Sequence, residues 1–240
     1  MDPALWEQIS AVEDRHWWFT ARREILLHLI GQTVPDGASI LDIGCGTGFM
    51  LEALLPRYDA WGMEPDAAVR ARVRPSVRDR VLAGDTGDLS ALGGRTFDLI
   101  LLLDVLEHTK DDLGALRGAC RALAGGAHLL ISVPAAPELW SDHDVRNGHF
   151  RRYAAESFGA LLTAAGLDAS VLTHINSRLL PLARAHRRSA SADLARELDL
   201  PSAPVNALLR RIFAGERHAL PRGYARGLSL VAVAHLHRTA

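Results

Sequence analysis

The chain has 240 residues, a hydrophobic fraction of 48% and a formal net charge of −1, which suits one α/β domain with additions and gives no global argument for nucleic acid. Its two cysteines, Cys45 and Cys120, form no disulfide framework and suit a reducing cytoplasm. It shows no signal-peptide pattern and no apolar run near about 18 residues, so a soluble, cytoplasmic protein is expected.

Residues 4–30 read as helix, with Leu5, Ile9 and Val12, then Ile25, Leu26, Leu29 and Ile30, at helical spacing. Pro35-Asp36-Gly37 is a turn before the first strand. That strand ends at Ile40 to Ile43, and three alternate glycines follow, then the apolar helical run Phe49, Met50, Leu51, Leu54 and Leu55. Further strands are predicted at 60–63, 81–83 and 97–103, then at about 127–133, 167–174 and 229–236. Helices are predicted at about 49–56, 66–73, 111–123 and 154–165, the last ending at Gly166 as a C-cap. Pro134 and Pro137 open a long loop to about 153, and residues 177–217 read as an inserted helical pair interrupted by Pro201 and Pro204.

The most informative stretch is Ile40-Leu41-Asp42-Ile43-Gly44-Cys45-Gly46-Thr47-Gly48. Glycine lets the backbone turn sharply and lets a ligand approach with no Cβ in the way. A strand, a glycine turn and a helix N-terminus make a nucleotide-sized cradle at the carboxyl edge of a parallel sheet. A dinucleotide fingerprint would need its last glycine where Phe49 stands, and a phosphate loop needs a lysine that is absent here. Cys45, beside this loop, reads as a small filler rather than a nucleophile.

Downstream, the second strand ends at Glu64-Pro65, where a sheet of this type presents a carboxylate to ribose hydroxyls. The alternative is a solvated acid before Pro65. The third strand leads into Gly84-Asp85-Thr86, and the fourth, Phe97 to Leu103, runs into Asp104-Val105-Leu106-Glu107-His108. The apolar run of the fourth strand fits a strand buried on both faces.

The D-x-G-x-G-x-G spacing, with these later motifs in this order, resembles the class I S-adenosylmethionine-dependent methyltransferases. The bacterial group that includes the ubiquinone-pathway O-methyltransferases is the one it looks most like. The resemblance implies a Rossmann-like, seven-stranded, mostly parallel sheet with the last strand antiparallel and helices on both faces. It implies S-adenosyl-L-methionine as cofactor, held by Asp42, Gly44, Cys45, Gly46, Gly48, Glu64, Pro65, Asp85, Thr86, Asp104 and Val105. An acid near Asp85 often meets the adenine amino group in that family; the alternative is a turn aspartate. On this reading residues 1–35 are an N-terminal cover, 36–175 the cofactor-binding core, 176–222 a helical insertion and 223–240 the final strand of one domain.

Two segments outside the cofactor motifs carry what is particular to the chain. In His16-Trp17-Trp18-Phe19-Thr20-Ala21-Arg22-Arg23, three consecutive aromatics cannot share one face of a helix. Aromatic faces attract cations such as a sulfonium, and Arg22 or Arg23 could pair with a carboxylate. The resemblance implies a cover in which Trp18 and an arginine meet the cofactor. The alternative is that Trp17 and Phe19 staple the helix to the core. The second segment runs from Leu139 to Tyr153 at the carboxyl edge of the sheet. His143 and His149 are its candidate catalytic bases, with Asp142 or Asp144 to orient one of them. Arg151 and Arg152 could hold an acidic group on the substrate, or H-x-R-R-Y could be an ordered lead into the next helix.

Asp104, Glu107 and His108 place three donor groups within five residues. The ubiquinone-pathway enzymes have E-x-x-E-H here and are thought to bind a divalent ion. The pattern is also widespread in relatives without metal, and no metal is expected. The insertion carries Arg178, Arg184, Arg187, Arg188, Arg196, Arg210, Arg211 and Arg217 among leucines, which suits a lid with a solvated face, an anionic substrate or a peripheral membrane contact. The expected function is methyl transfer to a small-molecule or lipid-linked acceptor, on oxygen. N-methylation, or a non-catalytic cofactor-binding partner protein, is the alternative.

Overall fold

The computed structural model describes residues 3–188 and 198–237. Arg196 lies outside them, as do the side chains of Arg187 and Arg188. The chain order is α1 (Pro3–Val12), α2 (Trp17–Thr33), β1 (Ser39–Ile43), α3 (Phe49–Leu54), β2 (Asp59–Glu64), α4 (Ala67–Arg70), β3 (Val81–Ala83) and β4 (Phe97–Leu103). It continues with α5 (Asp112–Cys120), β5 (Leu123–Pro134), α6 (Asp142–Asn147), α7 (Ala155–Ala164), β6 (Leu167–Ile175), α8 (Leu180–Arg188), α9 (Ala203–Ala214) and β7 (Ser229–Leu236).

The strands form one seven-stranded sheet in the order β3-β2-β1-β4-β5-β7-β6, with β7 antiparallel to both neighbours. Period-two alternation sends successive side chains to opposite faces. Ile40, Leu99, Leu101 and Leu130 pack with Ile25, Leu26 and Leu29 of α2, with Leu51 of α3 and with Phe213 of α9. Leu41, Ile43, Ile100, Leu102, Leu129 and Ile131 pack with Leu116 of α5 and with Phe158 and Leu162 of α7. β1 and β4 lie at the centre, so the polypeptide after each leaves from the carboxyl edge, where open α/β sheets bind ligands. Among the described residues no helix is long and apolar enough to cross a membrane.

The sequence reading needs correction at three elements. Residues 4–30 are two helices, not one. His16 breaks them: its ring accepts from Trp18 N at 3.2 Å as an N-cap. Asn206 of α9 fixes the break from outside, accepting from Trp17 N at 2.9 Å and donating to Arg15 O at 2.8 Å. The long loop after Pro134 contains α6, started by a Ser141–Asp144 capping box and ended at Gly148, φ +72°. Finally, β5 begins at Leu123, with Gly125-Gly126 inside it where the register to β4 shifts between Phe97 and Leu99.

Candidate active site

The glycine loop joins β1 to α3. Gly44, Gly46 and Gly48 all have positive φ, at 79°, 57° and 82°, a region costly for residues with a Cβ. The neighbours leave no room either: a Cβ on Gly44 would lie 2.7 Å from Val105, and one on Gly48 2.6 Å from Val77. Cys45 is buried, and a Cβ on Gly62 would lie 2.7 Å from its sulfur. Burial, then the charges of Asp42 and Glu64, push its thiol well above the ordinary range, so it fills space and is not a nucleophile.

Glu64 is buried at the end of β2. One carboxylate oxygen accepts from Gly46 N at 3.1 Å and the other from Asp66 N at 3.0 Å. Each oxygen keeps a lone pair for a further donor. Pro65 O accepts from Arg70 at 2.7 Å. Asp42 lies buried on β1, and burial raises its carboxyl to about 7, with Arg22 working against the shift. The third candidate acid is exposed: one Asp85 carboxylate oxygen accepts from Gly87 N at 2.8 Å and Asp88 N at 3.1 Å, closing its own turn. Thr86 is buried, and its carbonyl lies so close to Gly118 that a Cβ there would clash. Thr86 thus packs the β3 turn against α5, and the second Asp85 carboxylate oxygen enters neither of these turn bonds.

The N-terminal segment covers the loop. Trp6 of α1 lies against Gly46, where an added Cβ would be 3.0 Å from its ring. Buried Glu13 accepts from the Thr47 hydroxyl at 2.9 Å and from Arg74 at 2.8 Å, and Arg74 also reaches Asp14 and Glu52. The aromatic triplet divides as its helical spacing demands. Trp17 meets Phe213 edge-on, while Trp18 packs on Phe19 and lies under the Arg22 guanidinium, 5.3 Å from the ring centre. Arg22 extends to the ends of β4 and β5, 2.8 Å from Asp104 and 2.5 Å from the Ser132 hydroxyl. Arg23 instead stacks on Phe49 at 3.9 Å. Asp104 sits at φ +58°, a conformation that costs a non-glycine residue about 1–3 kcal/mol and clusters at functional sites.

Beyond Asp104 the D-x-x-E-H residues part company. Asp104 turns to Arg22, while Glu107 and His108 turn toward α6 and the segment after it. Asp144 is the hub there, fully buried. It accepts from Ser141 N at 2.9 Å, from Arg152 Nε at 2.7 Å and from His149 Nδ1 at 2.9 Å. Burial opposes its ionisation, but the hydrogen bonds from His149 and Arg152 outweigh it and hold the carboxyl well below the usual range. A carboxylate cannot donate, so His149 holds a proton on Nδ1 and its Nε2 is the ring nitrogen turned away from Asp144. The His149 ring packs against His108 at 4.8 Å and lies 6.3 Å from His143. Burial, then His149, drives His108 down to about 4, so it is neutral. Glu107 is buried with one carboxylate oxygen unpartnered, and burial, then Asp104, raises it well above a normal acid. Donor atoms of Glu107, His108 and His149 lie within 4.8 Å of one another. This nitrogen-rich set suits a borderline cation better than magnesium.

The sequence put His143 first as the base and His149 second, with Asp142 or Asp144 to orient one of them; the structure pairs the buried Asp144 carboxylate with His149. Arg151 and Arg152 are committed within the protein, Arg151 to Asp112 at 2.7 Å and Arg152 to Asp144 and the Ala135 carbonyl. Tyr153 is buried, donating to Asp112 at 3.0 Å. H-x-R-R-Y is thus an ordered lead into α7. Thr47, Glu13, Arg74 and Ser132 were not singled out from the sequence. Only Thr47, inside the glycine motif, carried a local signal.

A family model described as a methyltransferase domain matches residues 15–171. Over 142 residues the chain is 27% identical to a ubiquinone biosynthesis O-methyltransferase of Xanthomonas campestris, covering 53% of this chain and 59% of that one. The match thus spans little more than half of the relative's length. A methyltransferase solved in complex with the Haloferax volcanii Trm112 activator superposes with TM-score 0.61 at 19% identity, over 98% of this chain and 97% of that one. The cyclase SpnF superposes with TM-score 0.58 at 20% identity, over 88% and 79%. One fold therefore carries different chemistries, and function has to be argued from the site.

Proposed function

This chain belongs to the methyltransferase-domain family, and as a class I S-adenosylmethionine-dependent methyltransferase we propose that it methylates an oxygen of a small-molecule or lipid-linked acceptor. The residues fit the cofactor. The positive-φ glycines at 44, 46 and 48 open the turn, Glu64 offers lone pairs to a diol, and Trp18 with Arg22 supplies an aromatic face and a cation. When bound, S-adenosyl-L-methionine supplies an electrophilic methyl group on sulfur.

The chain's own residues then have two tasks. The first is positioning, since an acceptor held in line with the methyl–sulfur bond gains much of the rate. The second is removal of a proton, because a protonated hydroxyl is a weak nucleophile. His149 Nε2 takes that proton, and the Asp144 carboxylate stabilises the imidazolium that forms. The observation that carries the reading is the buried Asp144–His149 pair, 2.9 Å apart, with the His149 ring packed on His108 in the segment that follows β4. The 27% identity to ubiquinone biosynthesis O-methyltransferases supports oxygen over nitrogen as acceptor atom. Exposed Leu182, Val205 and Leu208 on the insertion support a peripheral membrane contact for a lipid-linked acceptor.

The test is a screen of hydroxyl and amine acceptors, read by release of S-adenosylhomocysteine. With an acceptor in hand, His149→Ala lowers turnover by about 10²–10⁴-fold, the usual span of a general base, while cofactor affinity stays near wild type. His143→Ala has the smaller effect. If His149→Ala turned over within a few-fold of wild type, positioning alone would account for catalysis.

A further inference from the structure

Positive charge also converges away from the glycine loop, where α2, α9 and the turn Gly215–Ala219 meet. Glu24, Arg178, Arg210, Arg211, Arg217 and His218 line a cavity of about 630 Å³ there. Four guanidinium groups and an imidazole face one carboxylate. Glu24 is shared by Arg210, at 2.5 Å, and Arg217, at 3.3 Å. Among the described residues the Arg178 and Arg211 guanidiniums form no salt bridge, although the buried Glu216 carboxylate lies near enough to Arg178 to interact with its charge. Gathering like charges is unfavourable unless something opposite lies between them.

The cavity opens to solvent, its arginines are exposed or half-buried, and one buried acid underlies it. Glu216, fully buried, accepts from Ser177 N and Arg178 N at 2.8 Å each, which fixes the start of the insertion. Gly215 lets the Arg178 guanidinium in: an added Cβ would lie 3.3 Å from it. Arg217 is tied back to the Ala214 carbonyl at 2.9 Å. Leu208, 58% exposed, lies one helical turn before Arg211 and gives the cluster an apolar flank.

From this geometry we infer that the cavity binds a phosphate or diphosphate group, through residues other than those of the glycine loop and the Asp144–His149 pair. Planar guanidinium forks match phosphate oxygens two at a time, which distinguishes such a site from a diffuse basic surface. Two sources share this chemistry, a soluble phosphate ester and a phospholipid headgroup beside Leu208. The inference does not rest on the acceptor proposed above.

The experiment uses the full chain, titrated calorimetrically with inorganic pyrophosphate, and in parallel sedimented with phosphatidylcholine vesicles containing phosphatidylglycerol. Saturable pyrophosphate binding is expected, weakened about tenfold or more by Arg178→Ala with Arg211→Ala, since a hydrogen bond to a charged group is commonly worth that much. Arg222→Ala, an exposed arginine outside the cavity, leaves it unchanged. Stabilisation by S-adenosylhomocysteine in every variant shows that the fold is intact. Pyrophosphate binding without vesicle binding supports the site and assigns a soluble ligand; vesicle binding that pyrophosphate competes away supports it and assigns a headgroup. Three results overturn it: no pyrophosphate binding, binding indifferent to Arg178 and Arg211, or vesicle binding that pyrophosphate does not displace.

Discussion

Asp42 shows how a single residue can be present in a motif and still be misjudged without its surroundings. Its place before Gly44 marks it as part of the cofactor motif, but nothing in the sequence says that burial lifts its carboxyl to about 7. An acid that is protonated when folded and ionised when unfolded favours the fold below the ordinary carboxylate range. That contribution is lost as pH rises toward about 7. Asp42→Asn keeps the shape and cannot ionise. In the ligand-free protein its melting temperature is expected to exceed wild type at about pH 8 and to converge on it near about pH 4. A gap that is the same at both ends would mean that folded Asp42 is already ionised. Asp144 works in the opposite sense. Its carboxyl is held low by His149 and Arg152 once burial is outweighed, so its contribution is present at neutral pH and fades only in acid.

Among the elements, those whose signals are local were legible, and those set by distant partners were not. The runs Phe97 to Leu103 and Ser229 to Leu236 are strands on their own composition, and the structure keeps their predicted bounds. The break between α1 and α2 depends on Asn206, 189 residues from Trp17, and no periodicity could show it. α6 is a different case: Ser141, Asp144 and Gly148 carry local signals for its two ends, but at six residues it is too short for helical periodicity to show, and Pro134 and Pro137 before it signal a loop. The break matters for function. α2 is a core helix, with Ile25, Leu26 and Ile30 fully buried, whereas α1 reaches the glycine loop through Trp6, and Glu13 ties the α1–α2 junction to it. Removing residues 1–12 is therefore expected to leave a folded sheet, with the His16 cap and the Glu13–Thr47 contact in place, and to weaken S-adenosylhomocysteine binding about tenfold or more. Losing a desolvated aromatic contact is enough for that. Calorimetry on the truncation decides it. Unchanged affinity would make α1 a brace for the domain and not a cover for the cofactor.

At the scale of the whole molecule, the sheet order puts every motif residue on one edge. β1, β2, β4 and β5 run parallel and adjacent, so Gly44, Glu64, Asp104 and Ser132 all follow or close strands at the same end. The linear order of the glycine loop and acids was enough to anticipate this edge. It could not anticipate which arginine crosses to Asp104 or which histidine meets Asp144, because those pairings span 82 residues in one case and fold back within a loop in the other. A ligand that bridges several strands stabilises the whole cooperative unit. At a concentration about 100-fold above its Kd it adds about 2.7 kcal/mol, or roughly 5–10 °C in a domain of this size. S-adenosylmethionine and S-adenosylhomocysteine are expected to raise the melting temperature by about that much, and NADH is expected to leave it unchanged, since Phe49 stands where a dinucleotide loop needs glycine. Gly46→Val forces a Cβ into φ +57° and toward Trp6 at 3.0 Å, and Glu64→Ala removes the acceptor at the end of β2. Both variants are expected to lose most of the shift while still unfolding cooperatively. A wild-type protein indifferent to S-adenosylhomocysteine, or two variants that keep the full shift, would place the cofactor somewhere other than this edge.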